Sequence, residues 1–243
     1  MARLTRAGIV LLVLIALAAV GWHFARQHIA AHPQDVPWTP LRLDDPIGAF
    51  SLRKIASLGD SPAQCLRLLS EAETRHVAAP PRQSGADCGY SDGMRIVPSE
   101  DEPALAPAGL VTSCPVAAAM TVWERQVLQQ AAIRHLGSKV TAINHAGSYS
   151  CRRLYGRDEG RFSEHATADA IDIIGFDLAD GRRVSVLADW RSTGPKATFL
   201  HDVRDGACRL FATVLSPDYN AAHADHLHFD QASRGRMGIG VCQ

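Results

Sequence analysis

The stretch of the chain that most clearly suggests chemistry is HADHLH, residues 223–228, which holds three of the eleven histidines and an aspartate. On a β-strand, His226 and His228 point to the same face because side chains alternate. Two adjacent imidazoles are typical ligands of a transition metal, and a turn can direct the carboxylate of Asp225 to the same place. A carboxylate beside a metal-bound water is what a general base requires. A polar surface strand is the alternative interpretation.

A second stretch, SEHATADAID at residues 163–172, offers further candidate ligands. His165 lies in a predicted loop, and Asp172 lies in the strand that follows, with isoleucines on both sides. Burying an unpaired carboxylate there would cost several kcal/mol, which a bound cation would remove. An aspartate at a strand edge, bonded to backbone, is the alternative. A metal hydrolase typically needs three protein ligands and one open position, and the two stretches together can provide them.

The first 30 residues have the features of an export signal. Two arginines precede an uncharged apolar run, and Arg26 follows it. The run is short for a spanning helix, which needs about 17–25 residues, but with interfacial and snorkelling residues at its end it can just span. The small residues Ala16 and Ala18 lie inside the run rather than beyond it, which favours an uncleaved anchor over a cleaved signal.

The cysteines and the charge balance exclude some classes of protein. Six cysteines follow the apolar run, none in a CxxC pair: Cys65, Cys88, Cys114, Cys151, Cys208 and Cys242. An even number in an exported chain favours disulfides over a thiolate zinc site, although the sequence leaves the pairing open. Basic and acidic residues both number 25 without any block of like charge, so we expect no nucleic-acid partner.

The rest of the chain predicts a spacer and one folded domain. Residues 31–47 contain four prolines and predict an extended spacer, and residues 48–243 predict the domain. Helices are predicted at 61–73, about 115–135 and 196–216, strands at 94–97, 139–145, 170–176, 182–188 and finally 226–230, and a loop at 100–109. This mixture predicts an α+β fold with a small, mostly antiparallel sheet flanked by helices.

The two candidate stretches together resemble a known group of enzymes. The pattern Ser163-x-His165-x6-Asp172 is followed about fifty residues later by Asp225-x-x-His228 within a His-x-His. This order resembles the zinc peptidases that include the D-Ala-D-Ala carboxypeptidases and dipeptidases and the lysostaphin-type enzymes.

A longer similarity covers roughly residues 60–235. It is similar to the bacterial extensin-like C-terminal domain family in the stretches SYSCRR, SEHATADAIDIIGF and FLHDVRDGACRLFATVLSPDYNAAHADHLHFD. The chain has none of the serine-polyproline repeats of plant extensin.

These resemblances imply roles for five residues. Zn²⁺ would be held by His165, Asp172 and His228 in a lysostaphin-type metallopeptidase core. Asp225 would be the base that activates the zinc-bound water, and His226 would bond to the developing oxyanion. A zinc ion in such a site lowers the pKa of its water towards 7 and polarises the scissile carbonyl.

Residues around the two motifs are assigned with alternatives. Arg152, in SYSCRR, is the candidate for the arginine with which these peptidases hold the substrate, and Arg153 is the alternative. Ser163 either bonds the substrate or shapes the turn. Asp230, on the strand face of His228, is expected to bond His228 from behind. The peptidases usually have glycine where this chain has Ala168, so the backbone of that turn is expected to differ.

Taken together, these features predict a zinc-dependent hydrolase of the cell envelope that cleaves a peptide bond in peptidoglycan stem peptides or crosslinks. Its expected partners are peptidoglycan peptides and, through residues 1–30, the inner membrane. Its expected location is the periplasmic side of that membrane, or the periplasm if the signal is cleaved. The competing hypothesis is a non-catalytic envelope module that binds cell-wall polymer or protein through a peptidase-like groove.

Overall fold

The chain begins with a long apolar helix, α1 (Ala2–Ala31), in a computed structural model that describes residues 2–233 and 240–243. From Arg6 to Ala31 this helix is long and apolar enough to cross a membrane, and none of it is buried against the rest of the chain. An export signal passes the same test of length and composition. The prediction of an N-terminal helix that resembles a signal or an anchor is therefore confirmed.

Residues 33–47, which we expected to form an extended spacer, lie against the folded domain. Lys54 Nζ donates to the Pro33 carbonyl and to the Thr39 hydroxyl, each at 2.8 Å. Leu43 is buried in the main hydrophobic core. Proline restricts the backbone but does not prevent its neighbours from packing, so the segment folds onto the domain instead of extending away. The folded body therefore begins at Pro33, two residues after the end of α1.

In the described part of the chain, six α-helices follow α1: α2 (Ser51–Ala56), α3 (Pro62–Glu71), α4 (Cys114–Trp123), α5 (Gln129–Leu136), α6 (Val186–Asp189) and α7 (Pro195–Ala207). A π-helical turn (Glu124–Leu128) joins α4 to α5, so the predicted helix at about 115–135 is continuous in space. Gly137 ends α5 with a φ of 66°, a left-handed conformation that glycine adopts without strain.

The strands are β1 (His76–Ala78), β2 (Arg82–Gln83), β3 (Gly89–Tyr90), β4 (Met94–Ile96), β5 (Ala104–Ala106), β6 (Val140–Gly147), β7 (Ala170–Leu178), β8 (Arg183–Ser185), β9 (Thr213–Leu215), β10 (Leu227–Asp230) and β11 (Val241–Cys242). The main sheet has the order β11-β9-β10-β7-β6-β5, with β8 also paired to β7. Its pairs are antiparallel except β5 with β6 and β11 with β9. This confirms the predicted α+β class with a mostly antiparallel sheet.

Several local predictions were wrong. Residues 104–106 are strand β5 and not loop, because they pair in parallel with residues 142–144 of β6. The strand predicted at 182–188 ends at Ser185, whose hydroxyl accepts from the Ala188 amide and so caps α6. The helix predicted to reach residue 216 ends at Ala207, and the β-branched pair Thr213 and Val214 belongs to β9. Because β11 follows, β10 is not the last strand.

Aromatic side chains on the core side of the sheet hold β10 in place. Phe229 is fully buried, and its ring centroid lies 5.5 Å from that of Trp123 and 5.0 Å from that of Phe211. Phe176 of β7 packs on Phe199 of α7 at 5.2 Å. Because side chains alternate along a strand, burying Phe229 in this core turns its neighbours to the opposite face of the sheet.

All six cysteines lie in the described part of the chain and form three disulfides, Cys65–Cys114, Cys88–Cys151 and Cys208–Cys242. The prediction of disulfides is therefore confirmed, and the structure supplies the pairing. The bond between Cys88 and Cys151 ties the segment that follows β6 to the β2–β3 region. Together with the apolar helix, the disulfides indicate a location outside the cytoplasm.

We predict that Gly206→Ala destabilises the domain even though alanine favours helices. A Cβ at Gly206 in α7 would lie 2.3 Å from Val127 Cγ1 in the π-helical turn. We therefore expect a loss of about 1–3 kcal/mol in the free energy of unfolding, as for other overpacked contacts. Urea unfolding of the full chain in detergent measures it. In a Val127→Ala background, Gly206→Ala should cost much less stability. An equal loss of stability from Gly206→Ala in wild type and in Val127→Ala would contradict the prediction.

Candidate metal centre

The register of two neighbouring strands brings two of the candidate ligands, Asp172 and His228, together. β10 runs antiparallel to β7, and His228 lies directly opposite Asp172. Side chains at directly opposed positions lie on the same face of the sheet and within contact distance. A short 3-10 helix (Glu164–Thr167) precedes β7 and carries His165 to the same place.

Three short contacts join these three side chains in a triangle, and both carboxylate oxygens of Asp172 take part. His165 Nε2 lies 3.2 Å from His228 Nδ1 and 3.1 Å from Asp172 Oδ2, and His228 Nδ1 lies 3.0 Å from Asp172 Oδ1. All three side chains are buried. The structure thus brings together the three predicted ligands in a group that could hold a metal ion. We call this group the triangle.

The outer nitrogens of both histidines are already engaged. His165 Nδ1 lies 2.6 Å from the Ser148 carbonyl oxygen, and His228 Nε2 lies 3.0 Å from Asp230 Oδ2. Because a carbonyl and a carboxylate only accept, both outer nitrogens must donate. In a neutral ring, the inner nitrogen then presents a lone pair. The expected contact between Asp230 and His228 is confirmed. The contact of His165 with Ser148 could not be predicted from the sequence, because every residue has a backbone carbonyl.

The triangle attracts positive charge. Burial raises the pKa of Asp172, but its hydrogen bonds with His165 and His228 outweigh that effect and hold the pKa well below its ordinary value. Burial lowers the pKa of His228, but its hydrogen bonds with Asp172 and Asp230 outweigh this and raise the pKa to about 9. The inward acceptor atoms lie close enough to repel one another, so a cation between them or a proton on His228 would stabilise the group.

Asp225 and His226 form a pair at the edge of the triangle. Asp225 lies in a turn, with its side chain 64% exposed, and its Oδ1 is 2.8 Å from His226 Nδ1. His226 precedes β10 and is much less exposed, and its Nε2 lies 3.6 Å from Asp172 Oδ1. His226 therefore faces the triangle, and Asp225 contacts it through His226.

His223 lies beside this pair. Its Nδ1 is 2.8 Å from Asn220 Oδ1, and its ring centroid is 5.1 Å from that of His226 and 6.0 Å from that of His228. Burial, followed by the charges of His226 and His228, lowers the pKa of His223 to about 4. This histidine is therefore neutral at pH 7, and its position beside the triangle could not be read from its place in HADHLH alone.

The two candidate substrate residues occupy different environments. Ser163 is buried, and its hydroxyl accepts from the His165 amide, so it caps the turn that carries His165. Arg152 is exposed, and its carbonyl accepts from the Ser163 amide at 3.0 Å. Arg153, the alternative, stacks its guanidinium on the Phe162 ring at 4.2 Å within its own loop. Arg152 and Ser163 thus lie close to the triangle but are not part of it.

Ala168 keeps the turn in a conformation that glycine favours. Its φ of 58° and ψ of 23° are left-handed, and its side chain is fully buried. This conformation costs a residue with a Cβ about 1–2 kcal/mol. The turn therefore carries backbone strain at Ala168.

One comparison with known proteins identifies a family. The chain matches the family described as "Extensin-like protein C-terminus" over residues 63–243, a range that contains the whole triangle. No curated protein and no solved structure matches the chain. The likeness to zinc peptidases therefore remains a resemblance between motifs.

We predict opposite effects for two neighbouring alanines. Ala168→Gly loses a buried methyl group, worth about 0.8 kcal/mol, but relieves the left-handed strain, so stability should stay equal or rise by up to about 1 kcal/mol. Ala166 is also buried but has no positive φ. Ala166→Gly should therefore lose about 1–2 kcal/mol. Thermal and urea unfolding compare the two variants, and a larger loss for Ala168→Gly would contradict the prediction.

Proposed function

The chain belongs to the extensin-like C-terminal family, and we propose that it is a zinc-dependent hydrolase of the cell envelope that cleaves a peptide bond in peptidoglycan stem peptides or crosslinks. The observation that carries this proposal is the triangle, whose inward acceptor atoms make three contacts of 3.0–3.2 Å. The apolar helix and the three disulfides support a site that works outside the cytoplasm, on the periplasmic side of the inner membrane.

The donor set and its spacing fit zinc. Bonds of about 2.0–2.2 Å at tetrahedral angles separate neighbouring ligand atoms by about 3.3–3.6 Å, close to the 3.2 Å between His165 Nε2 and His228 Nδ1. Two imidazoles and one carboxylate are ligand types that zinc accepts. The contacts of Ser148 with His165 and of Asp230 with His228 are the outer hydrogen bonds that orient histidine ligands in zinc sites.

In this proposal His165, Asp172 and His228 hold the ion and leave a fourth position open. When bound, zinc lowers the pKa of a water molecule in that position towards 7 and polarises the substrate carbonyl. The buried walls around the three ligands limit access of bulk solvent and so strengthen electrostatic interactions there.

The geometry supports a specific path for the proton. His226 Nδ1 donates to Asp225, so its Nε2, 3.6 Å from Asp172 Oδ1, is free to accept a proton beside the triangle, and once protonated it can donate a hydrogen bond to a developing oxyanion. We propose that Asp225 acts through His226: it fixes the ring and stabilises the imidazolium that forms. This differs from the direct base that the motif resemblance implies for Asp225.

The exposure of Asp225 also bears on the competing function. A direct general base is usually directed at the reacting water, whereas this carboxylate is 64% exposed and engages His226. If His226 does not transfer protons, the triangle can still bind metal in a non-catalytic module that recognises cell-wall polymer or protein. Metal binding without turnover is the result that distinguishes this alternative.

We predict that the full chain in detergent binds about one equivalent of zinc. His165→Ala removes a proposed ligand and should abolish binding. Asp230→Asn keeps the ligands but weakens the hydrogen bond to His228, so affinity should fall about 10–100-fold. Equilibrium dialysis with elemental analysis measures both. The control is Asp205→Asn, which changes an exposed aspartate in α7 and should bind zinc like wild type. Equal amounts of bound zinc in wild type and His165→Ala would contradict the prediction.

We predict that Asp225→Asn and His226→Gln retain zinc but lose hydrolysis of isolated peptidoglycan by about 10²–10⁴-fold, the usual contribution of acid–base catalysis. Release of soluble muropeptides, followed by mass spectrometry, measures the rate. Asp205 matches Asp225 in exposure, at 64%, so Asp205→Asn controls for the loss of a surface charge. Full activity in His226→Gln together with loss in Asp225→Asn would contradict the relay and favour a direct base.

A further inference from the structure

A row of aromatic rings leads from the triangle to the protein surface. The ring centroids of His228 and His223 are 6.0 Å apart, and those of His223 and Tyr219 are 5.4 Å apart. The Tyr219 hydroxyl lies 3.4 Å from the Tyr155 hydroxyl. Tyr155 is 52% exposed and Tyr219 is 41% exposed. We call these two tyrosines the aromatic shelf.

The shelf is held by a defined set of contacts. Asn220 Oδ1 accepts from the Ala222 amide at 3.0 Å and lies 2.8 Å from His223 Nδ1, which fixes the orientation of its amide group. Its Nδ2 therefore faces the Tyr155 hydroxyl at 3.4 Å. Two segments far apart in the sequence are thus joined beside the triangle by side chains.

The backbone of Tyr155 is strained. It has a φ of 58° and a ψ of 23°, a left-handed conformation that costs a residue with a Cβ about 1–2 kcal/mol. Such strain persists where surrounding structure holds it, and it concentrates at functional sites. Here the Cys88–Cys151 disulfide anchors the start of the same loop. Strain and exposure together single out Tyr155 as a residue positioned for a contact.

We propose that the aromatic shelf binds a sugar ring of the substrate's glycan strand, an inference that rests on the proposed function. A pyranose has an apolar C–H face and a rim of hydroxyl groups. The shelf offers matching chemistry, with exposed phenol rings, two hydroxyls and the Asn220 amide. The guanidinium carbon of Arg157 lies 5.7 Å from the Tyr155 ring centroid, where this group can also donate to sugar oxygens.

A sugar fits this surface better than an extended peptide does. A peptide that binds as an added strand is recognised through the backbone of an open sheet edge. The shelf residues belong instead to a 3-10 turn (Leu154–Gly156) and to the loop that follows β9, and they present side chains. The recognition groups of the shelf are therefore aromatic faces and hydroxyls.

The distance from the shelf to the triangle limits which bond is cut. Two ring-to-ring steps of 6.0 Å and 5.4 Å separate His228 from Tyr219. Each extended residue spans about 3.3–3.6 Å, so a substrate with its sugar on the shelf reaches the triangle within about three residues. The inference therefore assigns the cut to the sugar-proximal part of the stem peptide.

The test compares one stem peptide with and without its disaccharide, using the full chain in detergent with zinc. Wild type should cleave the disaccharide-linked peptide with a kcat/KM about tenfold higher, mainly through a lower KM, as one stacking contact of about 1.4 kcal/mol provides. Tyr219→Ala should remove this preference by lowering kcat/KM for the disaccharide-linked peptide about tenfold more than for the free peptide. Tyr219→Phe should retain most of it. Equal loss on both substrates would overturn the inference.

Two further variants control the test. Leu66→Ala, in α3 away from the triangle and as exposed as Tyr219 at 41%, should keep the preference. Tyr155→Asn should lose it without backbone damage, because asparagine tolerates left-handed backbone. If Tyr155→Asn and Tyr219→Ala both keep the preference, the shelf does not bind the sugar.

A binding measurement separates this inference from the proposed function. Saturation-transfer NMR with the N-acetylglucosamine tetramer, which has no peptide, should detect binding to wild type and Leu66→Ala and about tenfold weaker binding to Tyr219→Ala. Binding that depends on Tyr219 without any hydrolysis would reject the hydrolase and keep the shelf. Hydrolysis without binding of the tetramer, or binding equal in wild type and Tyr219→Ala, would reject the shelf.

Discussion

The pairing of β10 with β7 is the constraint on which the rest of the structure depends. It sets His228 opposite Asp172, and the burial of Phe229 against Trp123 and Phe211 fixes which face each residue takes. A slip of one residue would turn the histidine into the core and the phenylalanine to the other face. The hydrophobic core therefore specifies the polar site, because the strand alternation that buries Phe229 also turns the His228 ring towards Asp172.

The polar side of this arrangement is stable because almost every group has a partner. The Asp172 carboxylate is buried, where an isolated charge would be costly, and two histidines compensate it. Those histidines are in turn oriented by Ser148 and Asp230. The network therefore directs acceptor atoms inward and donor atoms outward, an arrangement that a cation or a proton between the acceptors would complete. Such a network is sensitive to the removal of any one member.

The sequence predicted the parts of this design that depend on local periodicity. Strand alternation around His228 was enough to place Asp230 behind it, and the α+β class followed from the mixed pattern of helices and strands. Contacts made by backbone atoms, such as that of the Ser148 carbonyl, carry no residue-type signal. The β5 pairing and the end of α7 depend on tertiary contacts that override local propensity. The contact between Asp225 and His226 depends on a turn whose geometry their spacing does not determine.

The packing of residues 33–47 on the domain also limits how far the triangle can lie from a membrane that holds α1. A fully extended segment of that length would have added about 50 Å of reach. Because Lys54 hydrogen-bonds to Pro33 and Thr39, the segment is not extended, and the domain follows α1 with almost no linker between them. If α1 stays in a membrane, the triangle lies within about one domain diameter of the membrane surface, since the radius of gyration of the domain is about 17 Å. Any ligand of the triangle must then come within that distance of the surface.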